Sequence, residues 1–288
     1  MHDLSTEDEQ DPLATHQDAD LEIELLMEAL FRKYGYDFRG YSKAHIRRRV
    51  TQRLRTSGLN TVSQMQDKML HSPTFAEALL NDFSIGVTEM FRDPPFYQQI
   101  RQKVIPLLKT WPHIKIWHAG CSTGEEVYSM AILLKEEGLY DRTQIYATDF
   151  NQHALNVARE GIYASNKIKK YSQNYSASGA RATFGDYIHT QYDAAILSNS
   201  LQKNIVWAHH NLVTDSDFTE AHMVVCRNVL IYFSKELQNK VHQLFFNSLV
   251  NGGILCLGNK ESLQFTDHAS HYTHVDKKQR MYKKIYAE

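Results

Sequence analysis

The dozen residues 118–129, HAGCSTGEEVYS, set two glycines, three small hydroxyl residues and two adjacent glutamates where a strand-like run passes into a helical one. A glycine-rich turn that opens a helix usually receives phosphate, because the free N–H groups and the positive helix end attract an anion. Carboxylates repel phosphate. Gly120 and Gly124 are four apart, with no third glycine to complete GxGxxG and no Gly-Lys-Ser/Thr to make a P-loop. The loop Ala119-Gly120-Cys121-Ser122-Thr123-Gly124 permits close backbone approach to a ligand. Glu125 and Glu126 favour one with a cationic centre and no phosphate. Two further strand-like runs end in polar residues, QIYAT before Asp149 and HMVVC before Arg227 and Asn228. In open α/β sheets ligands bind beyond such carboxyl ends, and an acid at the second one can accept both hydroxyls of an adenosine ribose.

S-adenosylmethionine, with a sulfonium and an ammonium, satisfies these demands. Plainer uses exist for each residue. Glutamates in a first helical turn complement the macrodipole with no ligand present. Asp149 can cap the helix that follows it, and the same acid occurs in dinucleotide folds.

Such residues need a scaffold, and the chain supplies two kinds. Residues 20–88 read as successive helices: LEIELLMEALFRKYG carries Leu21, Leu25, Leu26, Ala29 and Leu30 at helical spacing, and SKAHIRRRVTQRLRTSG opens at the possible cap Ser42 with a stripe of Ile46, Val50 and Leu54. Residues 89–113 read as a linker or helix. From 114 to 288 strands and helices alternate, which implies a mostly parallel sheet covered on both faces. Residues 165–203, rich in Ser, Tyr, Asn and Gly, interrupt that alternation without a strong helical period and are expected to form a small antiparallel insertion. Residues 1–19 are acidic and are expected to be a disordered tail.

Composition narrows the partners. The 288 residues carry a net charge of −1 and are 42 % hydrophobic, an ordinary globular balance. No apolar run approaches the ~20 residues of a membrane span, and no signal peptide is evident. No aromatic-interleaved basic groove points to nucleic acid. Three cysteines without CxxC spacing fit a reducing cytoplasm. The fifteen histidines contain no HExxH. His268, His271 and His274 lack Cys or carboxylate partners and read as surface residues near a terminal hairpin, so no metal site is expected.

Six stretches, taken in order, resemble the CheR family of chemotaxis receptor methyltransferases: YDFRGYSKAHIRRRVTQRL, TEMFRDPPFY, IWHAGCSTGEEVYSMAI, YATDFNQHALNVAREGIY, VVCRNVLIYF and, more loosely, GGILCLGNKESL. The resemblance implies an all-helical N-terminal domain followed by a Rossmann-like methyltransferase domain with a small inserted antiparallel β-subdomain. It implies S-adenosylmethionine as cofactor, with S-adenosylhomocysteine as product, and glutamates of a chemoreceptor cytoplasmic domain as acceptors. By position, Thr88 and Arg92 match the family's Thr-x-x-x-Arg motif near the cofactor. Ala119 lies in the cofactor loop. Glu126 matches the cofactor-binding glutamate, Asp149 the ribose-binding acid, and Asn211 and Leu212 the pair near adenine. Arg227 and Asn228 match a pair lining the same pocket, and Tyr232 the tyrosine near the transferred methyl. Gly86, Met90, Asn259 and Lys260 depart from the family's usual residues.

Methyl transfer from sulfonium to carboxylate needs no strong base, because glutamate is already ionised above ~4.3. Alignment and exclusion of water remain as the enzyme's tasks, and Arg92 and Tyr232 are the candidate catalytic residues for them. The basic helix with Lys43, Arg47, Arg48, Arg49, Arg53 and Arg55 is the expected docking surface for the acidic receptor helices. The rival reading is a regulatory module that holds cofactor or receptor without turnover.

Overall fold

The structure is a computed structural model that describes residues 13, 18–84, 88–264 and 266–286. Most of the expected tail, and Gly86, lie outside the described residues. The chain divides into two compact units, Met1–Ser84 and Ile85–Glu288.

The first unit is helical: α1 Ala19–Tyr34, α2 Lys43–Ser57, α3 Val62–His71 and α4 Pro73–Phe83. Thr61 and Ser72 cap α3 and α4 by accepting from Gln64 N and Phe75 N, whereas the expected cap Ser42 makes no such bond. The apolar stripe expected on α1 is rotated. Ala19, Ile23, Leu26, Met27 and Leu30 are buried, while Leu21 and Leu25 are 56 % and 51 % exposed. Both sets have helical spacing, so periodicity identified the helix but not its inner face, which packing against α3 selects.

In the second unit, residues expected as linker or helix form α5 Pro94–Gln99, a π-helical turn Ile100–Val104 and α6 Ile105–Leu108. Phe96, Tyr97, Ile100, Val104 and Leu108 of this stretch are fully buried in the unit's core. Then follow β1 Ile114–Ala119, α7 Glu125–Glu136, β2 Thr143–Asp149 and α8 Gln152–Glu160. The insertion comprises β3 Ile162–Ala164, α9 Ile168–Ala177, β4 Ile188–Gln191 and β5 Ala194–Leu197. The chain resumes with β6 Ile205–His209, β7 Ala221–Cys226, α10 Lys235–Ser248, β8 Leu249–Leu257, β9 Tyr272–Asp276 and β10 Met281–Lys284.

The main sheet has strand order β6-β2-β1-β7-β8-β10-β9, with the first five strands mutually parallel and β10 antiparallel to both neighbours. The chain winds outward from β1 through β2 to β6, then returns to place β7 on the other side of β1. The order therefore reverses between β1 and β7, which opens a crevice at their carboxyl ends. The insertion forms a separate antiparallel sheet β3-β5-β4. It also contains α9, a helix not expected there. Its apolar face is made by Tyr171 and Tyr175, with Asn174 buried beside them, so its composition resembles a loop while its spacing is helical.

Candidate functional site

The carboxyl ends of four adjacent strands, β6, β2, β1 and β7, converge at the crevice. After β1 the chain turns through Gly120 (φ +77°), Ser122 (φ +50°) and Gly124 (φ +90°) into α7. A Cβ on Gly120 would lie 2.6 Å from Val229 Cγ2, so only glycine admits this approach of two loops. After β2, Asp149 is buried. Its Oδ2 accepts from Ser122 N (2.8 Å) and its Oδ1 from Asn151 N (2.9 Å). Burial raises its carboxyl above the usual range, against the pull of those two N–H donors. It thus ties the β1 loop to β2 and also serves the turn into α8, where Asn151 is the cap. After β6, Asn211 and Leu212 are buried, and Asn211 Oδ1 accepts from Val213 N (3.0 Å).

The two adjacent glutamates separate. Glu125 is fully buried away from the crevice, receiving Thr123 Oγ1 (2.6 Å) and the Tyr171 hydroxyl (3.2 Å), with Lys167 Nζ at 3.7 Å. Burial raises its carboxyl above the usual range, and Thr123, Tyr171 and Lys167 already engage it. Glu126 is half-buried. Its Oε1 lies 3.1 Å from His118 Nδ1, and its Oε2 accepts from Arg227 Nη1 at 2.9 Å. Burial alone would raise Glu126, but the His118 hydrogen bond and the Arg227 charge outweigh it and hold the carboxyl low.

Arg227 is the hub. Its side chain is 1 % exposed, its Nη2 donates to Asp93 Oδ2 at 2.7 Å, and its guanidinium lies 4.0 Å from the Phe96 ring centroid. One buried guanidinium thus faces two carboxylates, Glu126 and the more exposed Asp93, so carboxylates outnumber the guanidinium within this trio. That suits a cation and disfavours phosphate. Asn228 (φ +63°) follows, and the buried Glu261 organises what comes next. Glu261 Oε2 accepts from Asn228 N (3.0 Å) and Gly258 N (2.6 Å), and Oε1 from Val229 N and Leu230 N (both 2.8 Å). Tyr232, half-buried, closes the short 3₁₀ turn Leu230–Tyr232 built on this carboxylate.

The segment bearing Thr88 and Arg92, both half-buried, is anchored on either side of Arg92. Phe91 N donates to Ser129 Oγ of α7 at 2.8 Å, and Asp93 reaches Arg227. Phe91 and Asp93 both hold left-handed backbone, φ +53° and +58°. Asp93, His118, Ser129 and Glu261 are site residues that the sequence alone does not single out. Each lies in or beside a quoted stretch, Asp93 directly after the motif arginine, His118 and Ser129 at the ends of 118–129, and Glu261 in GGILCLGNKESL, but position alone does not reveal their partners.

The basic helix α2 stands in the first unit. Its cations do not form one face. Arg47 pairs with Asp20 (2.7 Å), Arg53 with Asp82 and Ala78 O, and Arg49 donates to Gln52. Lys43, Arg48 and Arg55 are exposed, Lys43 in a surface pair with Glu24. Cys121, Cys226 and Cys256 are buried free thiols, and burial pushes the Cys121 thiol well up. His268, expected on the surface, is buried and stacks on Phe246 (5.1 Å, 22°), because the hairpin folds over α10. Among the described residues no helix is long and apolar enough to cross a membrane.

Comparison with known proteins matches these features. Residues 86–281 match the family model described as CheR methyltransferase, SAM binding domain, and residues 21–84 match CheR methyltransferase, all-alpha domain. A Pseudomonas putida protein named "Putative methyltransferase Cher3" is 48 % identical over 94 % of this chain and 100 % of its own. Proteins named chemotaxis protein methyltransferase are 26 % identical in Listeria monocytogenes (81 % of this chain, 86 % of theirs) and 25 % in Salmonella typhimurium (85 % and 84 %).

Proposed function

The chain belongs to the CheR methyltransferase family, and on that basis we propose that it methylates glutamate side chains on the cytoplasmic helices of a chemoreceptor. The observation that carries this reading is the crevice at the reversal of strand order, where two carboxylates outnumber the one buried guanidinium between them.

The residues present fit S-adenosylmethionine. Asp149, braced by Ser122 and Asn151, would hold the ribose hydroxyls, with Asn211 and Leu212 beyond it near the base. Ala119 and Gly120 begin the loop beside which the cofactor would lie, with Gly120 passing directly under Val229. Glu126 and Asp93, both held by Arg227, would face the cationic end, with Asn228 next to Arg227 on the turn fastened to Glu261. The cofactor supplies a methyl group bound to positively charged sulfur.

The protein's remaining work is alignment and desolvation. The acceptor glutamate is ionised at neutral pH, so no side chain need remove a proton. Arg92, set between two anchored residues, would orient the acceptor carboxylate, and Tyr232, on the turn fastened to Glu261, would line the methyl path and exclude water. On α2, the exposed Lys43, Arg48 and Arg55 would meet the acidic receptor helices. Arg47 and Arg53 serve α2's own packing.

The test is transfer of labelled methyl from cofactor to a purified receptor cytoplasmic domain, with the modified residues located by mass spectrometry. Base-labile esters on glutamates are expected, and Arg92→Ala should slow their formation about 100-fold while the fold persists. Cofactor binding without ester formation by the wild-type protein would overturn the proposal. A wild-type rate in the variant would remove Arg92 from it.

A further inference from the structure

The inserted subdomain is wired into the segment that carries Thr88 and Arg92. Asn174 of α9 is 7 % exposed, and its Nδ2 donates both to Glu89 Oε2 (3.0 Å) and to the Met90 carbonyl (3.1 Å). The next residue, Phe91, is fully buried, and its ring packs edge-on to Tyr175 of α9 (5.1 Å) and to Phe184 (6.5 Å). Glu89, Met90 and Phe91 are thus all held by the insertion, immediately before Arg92. The restraint matters because Phe91 and Asp93 adopt left-handed backbone, which non-glycine residues keep only when their surroundings over-determine it. Ser129 and Arg227 supply the fixed points on the main fold. The insertion supplies the rest.

We propose that Asn174 is a positioning residue for methyl transfer: by gripping Glu89 and Met90 it holds the strained turn that aims Arg92, so the inserted subdomain completes the reaction centre. This rests on the reading of Arg92 given above. Asn174 touches neither substrate nor cofactor and acts through the backbone it holds.

Asn174→Asp removes both donated hydrogen bonds at nearly constant volume and sets a like charge against Glu89. The control is Gln98→Ala. Gln98 Nε2 donates to Ala177 O at 2.6 Å, so it also fastens α9 to α5, by a bond that does not involve 88–93. In Asn174→Asp, kcat should fall about 30-fold while the affinity for S-adenosylhomocysteine by calorimetry stays within about twofold. Amide exchange of peptide 88–93 in the ligand-free protein should quicken about tenfold. Adding Glu89→Gln restores one hydrogen bond with donor and acceptor exchanged and should recover part of kcat. Gln98→Ala should leave kcat and exchange at wild-type values.

Unchanged exchange at 88–93 in Asn174→Asp overturns the proposal, whether or not the receptor is a substrate. So does a wild-type kcat, provided Arg92→Ala run in parallel is inactive. A loss that Gln98→Ala shares equally, or one accompanied by lost ligand affinity and early unfolding, also overturns it, since either marks a general structural role. If Arg92→Ala is itself fully active, the assignment of Arg92 fails, and the exchange measurement still decides whether Asn174 holds the turn.

Discussion

Glu261 shows how one side chain can set a whole segment. Its carboxylate receives four backbone N–H groups, from Gly258, Asn228, Val229 and Leu230. Those donors would otherwise be unsatisfied at the mouth of a 3₁₀ turn, and buried orphan donors are costly. Arg227, Asn228 and Tyr232 all depend on this arrangement. Glu261→Gln offers one acceptor oxygen where two are needed and turns an amide N–H₂ toward N–H donors. S-adenosylhomocysteine affinity should fall about 10- to 100-fold, the cost of one charge-assisted hydrogen bond, as read by calorimetry. Retention of wild-type affinity would show that the turn does not rely on this carboxylate. Its place in GGILCLGNKESL does not reveal this role, because three of its four donors, Asn228, Val229 and Leu230, are 33, 32 and 31 residues away in sequence. The same holds for Asp93 and Arg227, 134 residues apart.

At the scale of elements, the loop between β1 and α7 is constrained by what passes over it. Gly120 and Gly138 both have left-handed backbone, φ +77° and +71°. A Cβ on Gly138 would meet nothing within 4 Å, whereas on Gly120 it would strike the stiff, branched Val229. Gly138→Ala should therefore cost only the left-handed penalty, about 1 kcal/mol, and leave ligand affinity intact. Gly120→Ala should cost about 2 kcal/mol or more and abolish tight cofactor binding, since the β7 loop must move. Denaturant titration followed by tryptophan fluorescence measures both, because Trp111, Trp117 and Trp207 all lie in the second unit. Equal effects from the two substitutions would remove the Val229 contact from the explanation. Elements also show where pattern fails. The helical rise of α1 was legible, but its two apolar stripes left the inner one undecided. Helix α9 was hidden by its serine, tyrosine and asparagine content, although Tyr171 and Tyr175 sit on one face.

For the molecule as a whole, stability is tied to pH through a histidine remote from the crevice. His242 of α10 is 1 % exposed, neither ring nitrogen has a hydrogen-bond partner, and burial, aided by nearby His268, lowers its pKa to about 4. The folded unit keeps this ring neutral while the unfolded chain protonates it near 6.5. Between those values the unfolded state binds more protons, so stability falls as pH drops from about 6.5 toward about 4. The loss attributable to this group approaches about 3 kcal/mol. His242→Leu should flatten that part of the profile, again read by tryptophan fluorescence, and an unaltered slope would exclude His242 as its source.

Local chemistry made much of this protein legible before any fold was seen. The alternation of strand and helix, the loop unsuited to phosphate, Asp149 at its strand end and the six ordered motifs all rest on residues close together in the chain, where spacing alone carries the signal. The partners of those residues were not legible. That Glu125 turns inward while Glu126 meets Arg227, that α2 spreads its cations around its circumference, and that a helix of the insertion grips the Arg92 turn are outcomes of packing. They follow from which surfaces meet when distant segments bury their apolar faces, and the hydrogen bonds then form among whatever polar groups that burial brings together.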